Sequence, residues 1–245
     1  MRMRSSRVEF HEIIIRSGST GVGFGAVFLF CVLAAVTWTH AETLTIATPE
    51  VDVSAARAQA AGSKTEANGM ISTGKVVFEK LLPGESYDVT LTQPDQKQLR
   101  LIDLSWYADL PPADTEPGPL KDEDRAAIHD ILTNIKAFTN KNTLLTLVGN
   151  ADRAVALVEL IRDTDFHARK ADEIIWRVEV WYFEYQAGGW AKVQQQNRII
   201  ERQRFKSTAA FEAYRKPLTW IGIEKGLRIE KGKDATVNLP EPKAR

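Results

Sequence analysis

The chain has 245 residues with 32 basic and 32 acidic side chains, so its net charge is zero with histidine neutral. That balance supplies no field to draw nucleic acid or anionic lipid. A single cysteine, Cys31, leaves everything after it without disulfides or thiolate metal sites.

From Gly21 to Trp38 the chain runs eighteen residues without a charge, through Val22, Phe24, Val27, Phe28, Leu29, Phe30, Val32, Leu33 and Val36. As a helix this covers roughly 27 Å, close to the bilayer core of about 30 Å. Arg2, Arg4, Arg7 and Arg16 precede it against only Glu9 and Glu12, while Glu42, Glu50 and Asp52 follow. The basic flank predicts a cytoplasmic N-terminus and an exported remainder, which is periplasmic, secreted or anchored by residues 21–38. Thr39 and Ala41 fit cleavage of residues 1–41 as a signal peptide; the long basic region fits retention as an N-terminal membrane anchor. The residues after Ala41 carry 28 basic against 30 acidic groups and are numerous enough to bury a core.

Beyond the apolar Leu44 to Ala47, the stretch Ser54 to Asn68 holds six alanines among polar residues and no large apolar side chain. It reads as flexible, and residues 42–73 as an Ala-rich arm. At Gly74 alternation begins: Val76 and Phe78, a turn at Leu82-Pro83-Gly84, then Tyr87, Val89 and Leu91. Period two on both sides of a Pro-Gly turn predicts two strands, and Leu99 to Tyr107 a third with Ile102, Leu104 and Trp106 on one face. Residues 108–120 hold Pro111, Pro112, Pro117 and Pro119 and form a connection between pieces.

Asp122 opens a helix with Glu123 and Asp124 in its first turn and Ile128, Ile131, Leu132, Ile135 and Phe138 on one stripe. Leu144 to Val148 is a strand, Gly149-Asn150 a turn and cap, and Ala154, Leu157, Val158 and Ile161 the buried stripe of a second helix. Ile174 to Tyr185 alternates as a strand, Ala187-Gly188-Gly189 turns it, and Trp190 to Phe205 returns. A short helix follows around Ser207 to Arg215, then short strands at Leu218 to Ile221, Leu227 to Ile229 and Ala235 to Leu239. Residues 240–245 form a loose tail. The expected fold is α+β: a β-sandwich-like piece over 74–107, then a domain over 121–239 packing two amphipathic helices on an antiparallel sheet.

The run Gly74-Lys75-Val76-Val77-Phe78-Glu79-Lys80-Leu81-Leu82-Pro83-Gly84-Glu85-Ser86-Tyr87-Asp88-Val89 resembles the strand, Pro-Gly corner and tyrosine strand of carboxypeptidase-regulatory-like, prealbumin-type β-sandwiches. Fibronectin type III domains share a similar corner, in which a tyrosine hydroxyl bonds back to nearby backbone. The resemblance covers about twenty residues, and the Ala-rich arm departs from it by lacking the upstream strands of a full sandwich. Such modules are usually non-catalytic appendages, and the resemblance implies a non-catalytic role. The downstream half is similar to exported bacterial proteins.

Candidate sites are few. Trp181, Phe183 and Tyr185 share one face of the long strand, and with Trp190 they form an aromatic platform for a sugar ring or a partner protein; the opposing reading covers both faces with core. Asp163, Asp165 and His167 alternate as ligand-type side chains that an extended backbone would place on one face for a divalent ion. Lys192, Arg198, Arg202 and Arg204 lie on the return strand, either attracting anions or pairing with Glu179 and Glu184 across the hairpin. The sequence contains no Gly-x-Ser-x-Gly nucleophile motif and no cofactor signature. The leading expectation is a non-catalytic extracytoplasmic protein binding an envelope protein or polysaccharide, and its rival is a metal-dependent or hydrolytic enzyme centred on Asp163, Asp165 and His167.

Overall fold

The computed structural model describes residues 42–61, 63–105, 118–134, 142–162, 173–193 and 197–239. The expected export segment at 21–38 lies outside the described residues, as does the tail 240–245. No helix among the described residues is long and apolar enough to cross a membrane.

The chain begins with β1 (Glu42–Ala47), β2 (Ala55–Ala60), β3 (Glu66–Asn68) and β4 (Met70–Ser72), followed by β5 (Lys75–Leu81), β6 (Tyr87–Thr92) and β7 (Gln98–Asp103). Helix α1 (Asp122–Asn134) leads to β8 (Asn142–Gly149), β9 (Arg153–Arg162), β10 (Ile174–Gln186), β11 (Gly189–Lys192) and β12 (Arg198–Phe205). Helix α2 (Thr208–Arg215), β13 (Leu218–Ile223) and β14 (Ala235–Asn238) complete it. Strands dominate and two helices accompany them, an α+β composition.

Three sheets result. The first runs β14-β1-β5-β4, the second β13-β7-β6-β2-β3, and in the third β8, β9 and β10 lie side by side with β11 and β12 sharing the far edge of β10. The third is antiparallel throughout. The first and second share one apolar cluster, with Leu44, Ile46, Val76 and Phe78 on one side and Ala58, Val89, Leu91 and Leu101 on the other. The second and third share another, joining Ile102 and Leu104 to Trp176, Val178, Val180 and Tyr182. Ile128 and Leu132 of α1 cluster with Ala156, Val158, Trp181 and Phe183 on the far face of the third sheet. Alternation explains this layering, because β7 sends Leu101 one way and Ile102 the other.

The Pro83-Gly84 corner takes the expected form: Gly84 has φ +85° and the Leu82 N–H donates to the buried Tyr87 hydroxyl at 2.9 Å. The Ala-rich stretch is not a free arm. Its alanines repeat with period two, so Ala56, Ala58 and Ala60 face the core while Arg57 and Gln59 face outward. Small side chains suffice on β2 because Phe78 of the opposing sheet supplies the bulk in the same cluster.

The second amphipathic helix expected over Ala154 to Ile161 is the strand β9. Its helical spacing was incidental: Val155, Ala156 and Leu160 between the chosen positions are also apolar, and β9 is buried on both faces between β8 and β10. A central strand of that kind reads as a continuous apolar run without a period. Asn150 does cap, but for a turn. Its Oδ1 accepts from the backbone N–H of Asp152 and Arg153, each at 3.0 Å, and joins β8 to β9 as an antiparallel hairpin instead of starting a helix. The expected strand at Leu227 to Ile229 reduces to a bridge between Arg228 and Ser86. The single return strand from Trp190 to Phe205 is two, β11 and β12.

Nor does the fold divide at the Pro-rich connection. Strand β13 lies parallel to β7 and β14 parallel to β1, so the C-terminal segment completes both sheets of the N-terminal piece. Thr39–Arg245 accordingly forms one unit.

Gly69 marks where the chain leaves the second sheet for the first: its N–H pairs with the Ala56 carbonyl at 2.9 Å, and the next residue, Met70, pairs with Val77 of β5. A Cβ there would lie 2.5 Å from Val76 Cγ1, 2.9 Å from Phe78 Cε1 and 3.0 Å from Ala56 Cβ. Gly69→Ala is expected to destabilise by about 1–3 kcal/mol through overpacking, read as a lower urea midpoint at unchanged slope.

Candidate functional site

The outward face of the second sheet carries the polar half of its alternation. Asn68, Arg57, Thr90, Arg100 and Trp220 stand in register across all five strands. Gln59 lies opposite Asp88, and Thr92 opposite Gln98. The third sheet covers this face over Ile102 and Leu104. Over β2 and β6 a cleft of about 310 Å³ opens, with Ile200 and Glu201 of β12 among its lining.

The inner end of the cleft is held by a clamp between the two sheets. Arg198 Nη1 donates to Asp88 Oδ2 at 2.7 Å and Nη2 to the Asp103 carbonyl at 2.6 Å, while the Asp103 N–H donates to Asp88 Oδ1 at 3.1 Å. Asp103 itself is fully buried and accepts from the Ser105 hydroxyl at 2.8 Å and the Ser105 N–H at 3.2 Å. Burial raises the Asp88 carboxyl above its ordinary 3.8 despite the opposing pull of Arg198. Burial likewise pushes the Tyr182 phenol up to about 12.

Toward the centre, Arg100 Nη1 donates to Thr90 Oγ1 at 3.2 Å, and its guanidinium lies 5.9 Å from the Trp220 ring centroid. The Tyr214 hydroxyl donates to Glu201, and burial together with that bond raises the phenol to about 12. Gln98 Oε1, Arg100 Nε and Trp220 Nε1 are buried without a hydrogen-bond partner among the described residues. Orphaned polar atoms of this kind are uncommon in folded proteins, and Ser86 Oγ and Arg177 Nε, outside the cleft lining, share that condition.

A second opening lies beneath α2, a groove of about 1100 Å³ whose walls include Leu145, Ile161, Phe211, Leu218 and Trp220. Glu159 stands in it on the central strand β9 and is 1% exposed. It accepts from Trp176 Nε1 at 2.8 Å and from Arg215 Nε and Nη2, both at 2.6 Å. This fork ties α2 to the third sheet. Ser207 caps the helix by accepting from the Ala210 N–H at 3.2 Å, as its sequence position suggested.

The expected aromatic platform is largely enclosed. Trp181 is 4% exposed and Phe183 fully buried, because α1 covers the face they share. Trp181 Nε1 donates to Glu179 at 2.8 Å, and Lys192 Nζ lies 3.8 Å from its ring centroid, where burial lowers the ammonium pKa. Tyr185, 48% exposed, and the half-buried Trp190 meet edge-on at 5.7 Å at the end of the hairpin, and Trp190 Nε1 donates to Asp124 of α1 at 2.9 Å. The basic set disperses: Arg198 reaches Asp88 in another sheet, Arg204 approaches Glu173 at 3.7 Å, and Arg202 lies opposite Arg177.

Asp163, Asp165 and His167 lie outside the described residues. Among the described residues no group of three His, Cys, Asp or Glu side chains is placed to hold a metal ion. Asp88, Gln98 and Arg100 were not singled out, and Arg198 was read only as one of the basic set on the return strand, since polar positions alternating with a buried face carry no mark that separates a cleft from ordinary wet surface. Comparison with protein-family models, curated proteins and solved structures finds no match to this chain.

Arg215→Ala leaves the buried Glu159 carboxylate with only the Trp176 indole. The expected loss is about 1–3 kcal/mol, below the usual buried-pair range because Arg215 is 46% exposed, and thermal unfolding reads it. A pH series tests Asp88. Its native carboxyl holds a proton more tightly than the unfolded chain does, so its contribution to stability is fullest below 3.8 and falls as pH rises through the native value. The stability of the protein relative to Asp88→Asn is therefore expected to decline across that acidic limb; a rising difference would contradict the raised value.

Proposed function

We propose that this is an exported, non-catalytic binding protein whose ligand enters the cleft between the second and third sheets. The basic flank and uncharged run at residues 21–38 support export. The observation that carries the binding reading is the cleft itself: polar residues on rigid neighbouring strands line a concave surface beside Ile102 and Ile200. The first and second sheets, closing on one core beside the Tyr87 corner, are read as the β-sandwich that this corner resembles. That likeness favours an appended recognition module over an enzyme. The ligand is read as envelope material, a partner protein or a polysaccharide, met outside the cytoplasm.

The reading is tested with the full chain in mild detergent, cosedimented with envelope fractions from its own cells. Retention is expected to weaken by about tenfold in Arg100→Ala, the loss of roughly one hydrogen-bonded contact. Lys216→Ala, in the groove beneath α2, is expected to leave retention unchanged. Equal retention of Arg100→Ala and the parent protein would refute a ligand site in the cleft.

A further inference from the structure

We propose that the cleft over β2 and β6 takes a neutral polyhydroxylated ring, a saccharide unit, with Asp88, Gln98 and Arg100 as its polar contacts. The inference rests on the binding reading above and names the ligand class for the same site.

Charge is the first discriminator. The lining includes two cations, Arg57 and Arg100, and two anions, Asp88 and Glu201. All four are already engaged: Arg57 with Glu66 at 3.6 Å, Asp88 with Arg198 at 2.7 Å, Glu201 with the Tyr214 hydroxyl, and Arg100 with Thr90 at 3.2 Å. A phosphate or carboxylate entering here meets Asp88 and Glu201 along with the arginines. A cation meets the arginines. Neither sign of ligand gains a net field.

Hydrogen-bonding capacity is the second. The Gln98 amide and the Arg100 guanidinium line the cleft from alternate positions of one strand face, an acceptor-and-donor group beside a donor. Thr92, directly across from Gln98, adds a hydroxyl, and Asn68 an amide at the outer end of the Arg100 row. A neutral ligand that meets these donors and acceptors together must donate and accept from the same small scaffold, and hydroxyl groups do both. These groups sit on neighbouring strands about 4.8 Å apart, a spacing comparable to the width of one sugar ring.

Size and apolar contact agree. At about 310 Å³ the cleft lies at the small end of ligand sites, which suits one or two rings. Ile102 and Ile200 line it beside the polar face and offer contact to ring C–H groups. Trp220 stands next to Arg100 in the register, so tryptophan fluorescence is a suitable probe of the row that Arg100 belongs to.

The experiment titrates the full chain in mild detergent with glucose, galactose, mannose, N-acetylglucosamine and their 1,4-linked disaccharides, following tryptophan fluorescence and the thermal midpoint. Glucuronate and inorganic phosphate serve as charged probes. At least one neutral sugar is expected to bind, with affinity little changed between low and high salt, since no net charge is neutralised. Gln98→Leu is expected to weaken it about tenfold and Thr92→Val by a smaller factor, with both variants keeping the parental midpoint in the absence of sugar. Binding of only the charged probes, weakening with salt, would overturn the saccharide assignment. So would sugar binding that is indifferent to Gln98→Leu and Thr92→Val. If no sugar binds while envelope retention still depends on Arg100, the ligand class is wrong and the binding reading stands; if that dependence is also missing, both fall.

Discussion

Arg198 is the residue on which the arrangement of the second and third sheets turns. It leaves β12 of the third sheet and bonds both Asp88 and the Asp103 carbonyl of the second. Apolar packing between two sheets tolerates sliding, because Ile102 and Leu104 would find some apolar neighbour in several registers. A guanidinium that must meet one carboxylate and one carbonyl does not. Its contribution to net stability is smaller than its contribution to uniqueness, since removing two charges from water offsets most of what their attraction supplies. The raised Asp88 carboxyl carries the same message: burial there outweighs the stabilisation that Arg198 provides.

Much of the strand content was legible from period two alone. Strand β6 alternates strictly, β5 does so until Lys80 at φ +60° breaks the pattern before Leu81, and β10 divides its side chains between two cores, while the bond of the Tyr87 hydroxyl to nearby backbone was implied by resemblance and not by period. What stayed hidden did so for physical reasons. Strand β9 is covered on both faces, so its sequence has no polar phase from which to read a period. Strand β2 buries alanines against a partner that supplies the volume, which no inspection of β2 by itself can reveal. The parallel pairings of β13 with β7 and β14 with β1 join residues more than a hundred positions apart, and local pattern carries no information about such closure.

The candidate site was less legible than the fold, and the aromatic residues show why. Trp181 and Phe183 were attractive as a platform because they stand opposite a core face, yet the chain also contains α1, whose Ile128 and Leu132 need a surface to cover. An amphipathic helix and an apolar second face satisfy one another, and the platform becomes core. The polar face of the second sheet meets no such helix among the described residues. The third sheet covers its β7 and β13 side, and Asp88, Thr92 and Gln98 line the cleft that stays open beyond it. Sequence shows that both faces alternate, but which one is left open depends on how many layers compete to cover it.

The seam between the second and third sheets surrounds its apolar cluster with charged and hydrogen-bonding groups. Carboxylates stand in it that are answered by groups from other elements: Asp88 by Arg198, Glu201 by Tyr214, and Glu159 by Arg215 and Trp176. Between the first two run Arg100 and Trp220, which connect the cleft to the groove beneath α2 through one row of the second sheet. Gly222 allows that seam to close. Its N–H donates to Thr146 Oγ1 of β8 at 3.3 Å, and a Cβ in its place would come within 2.3 Å of Leu104. Groups held this way lose little freedom when a ligand arrives, because Arg198, Thr90 and Tyr214 already fix their orientation. A preorganised, charge-balanced surface selects by hydrogen-bond geometry instead of by field. On the binding reading proposed above, recognition falls to the Gln98 amide and the Arg100 guanidinium, which line the cleft.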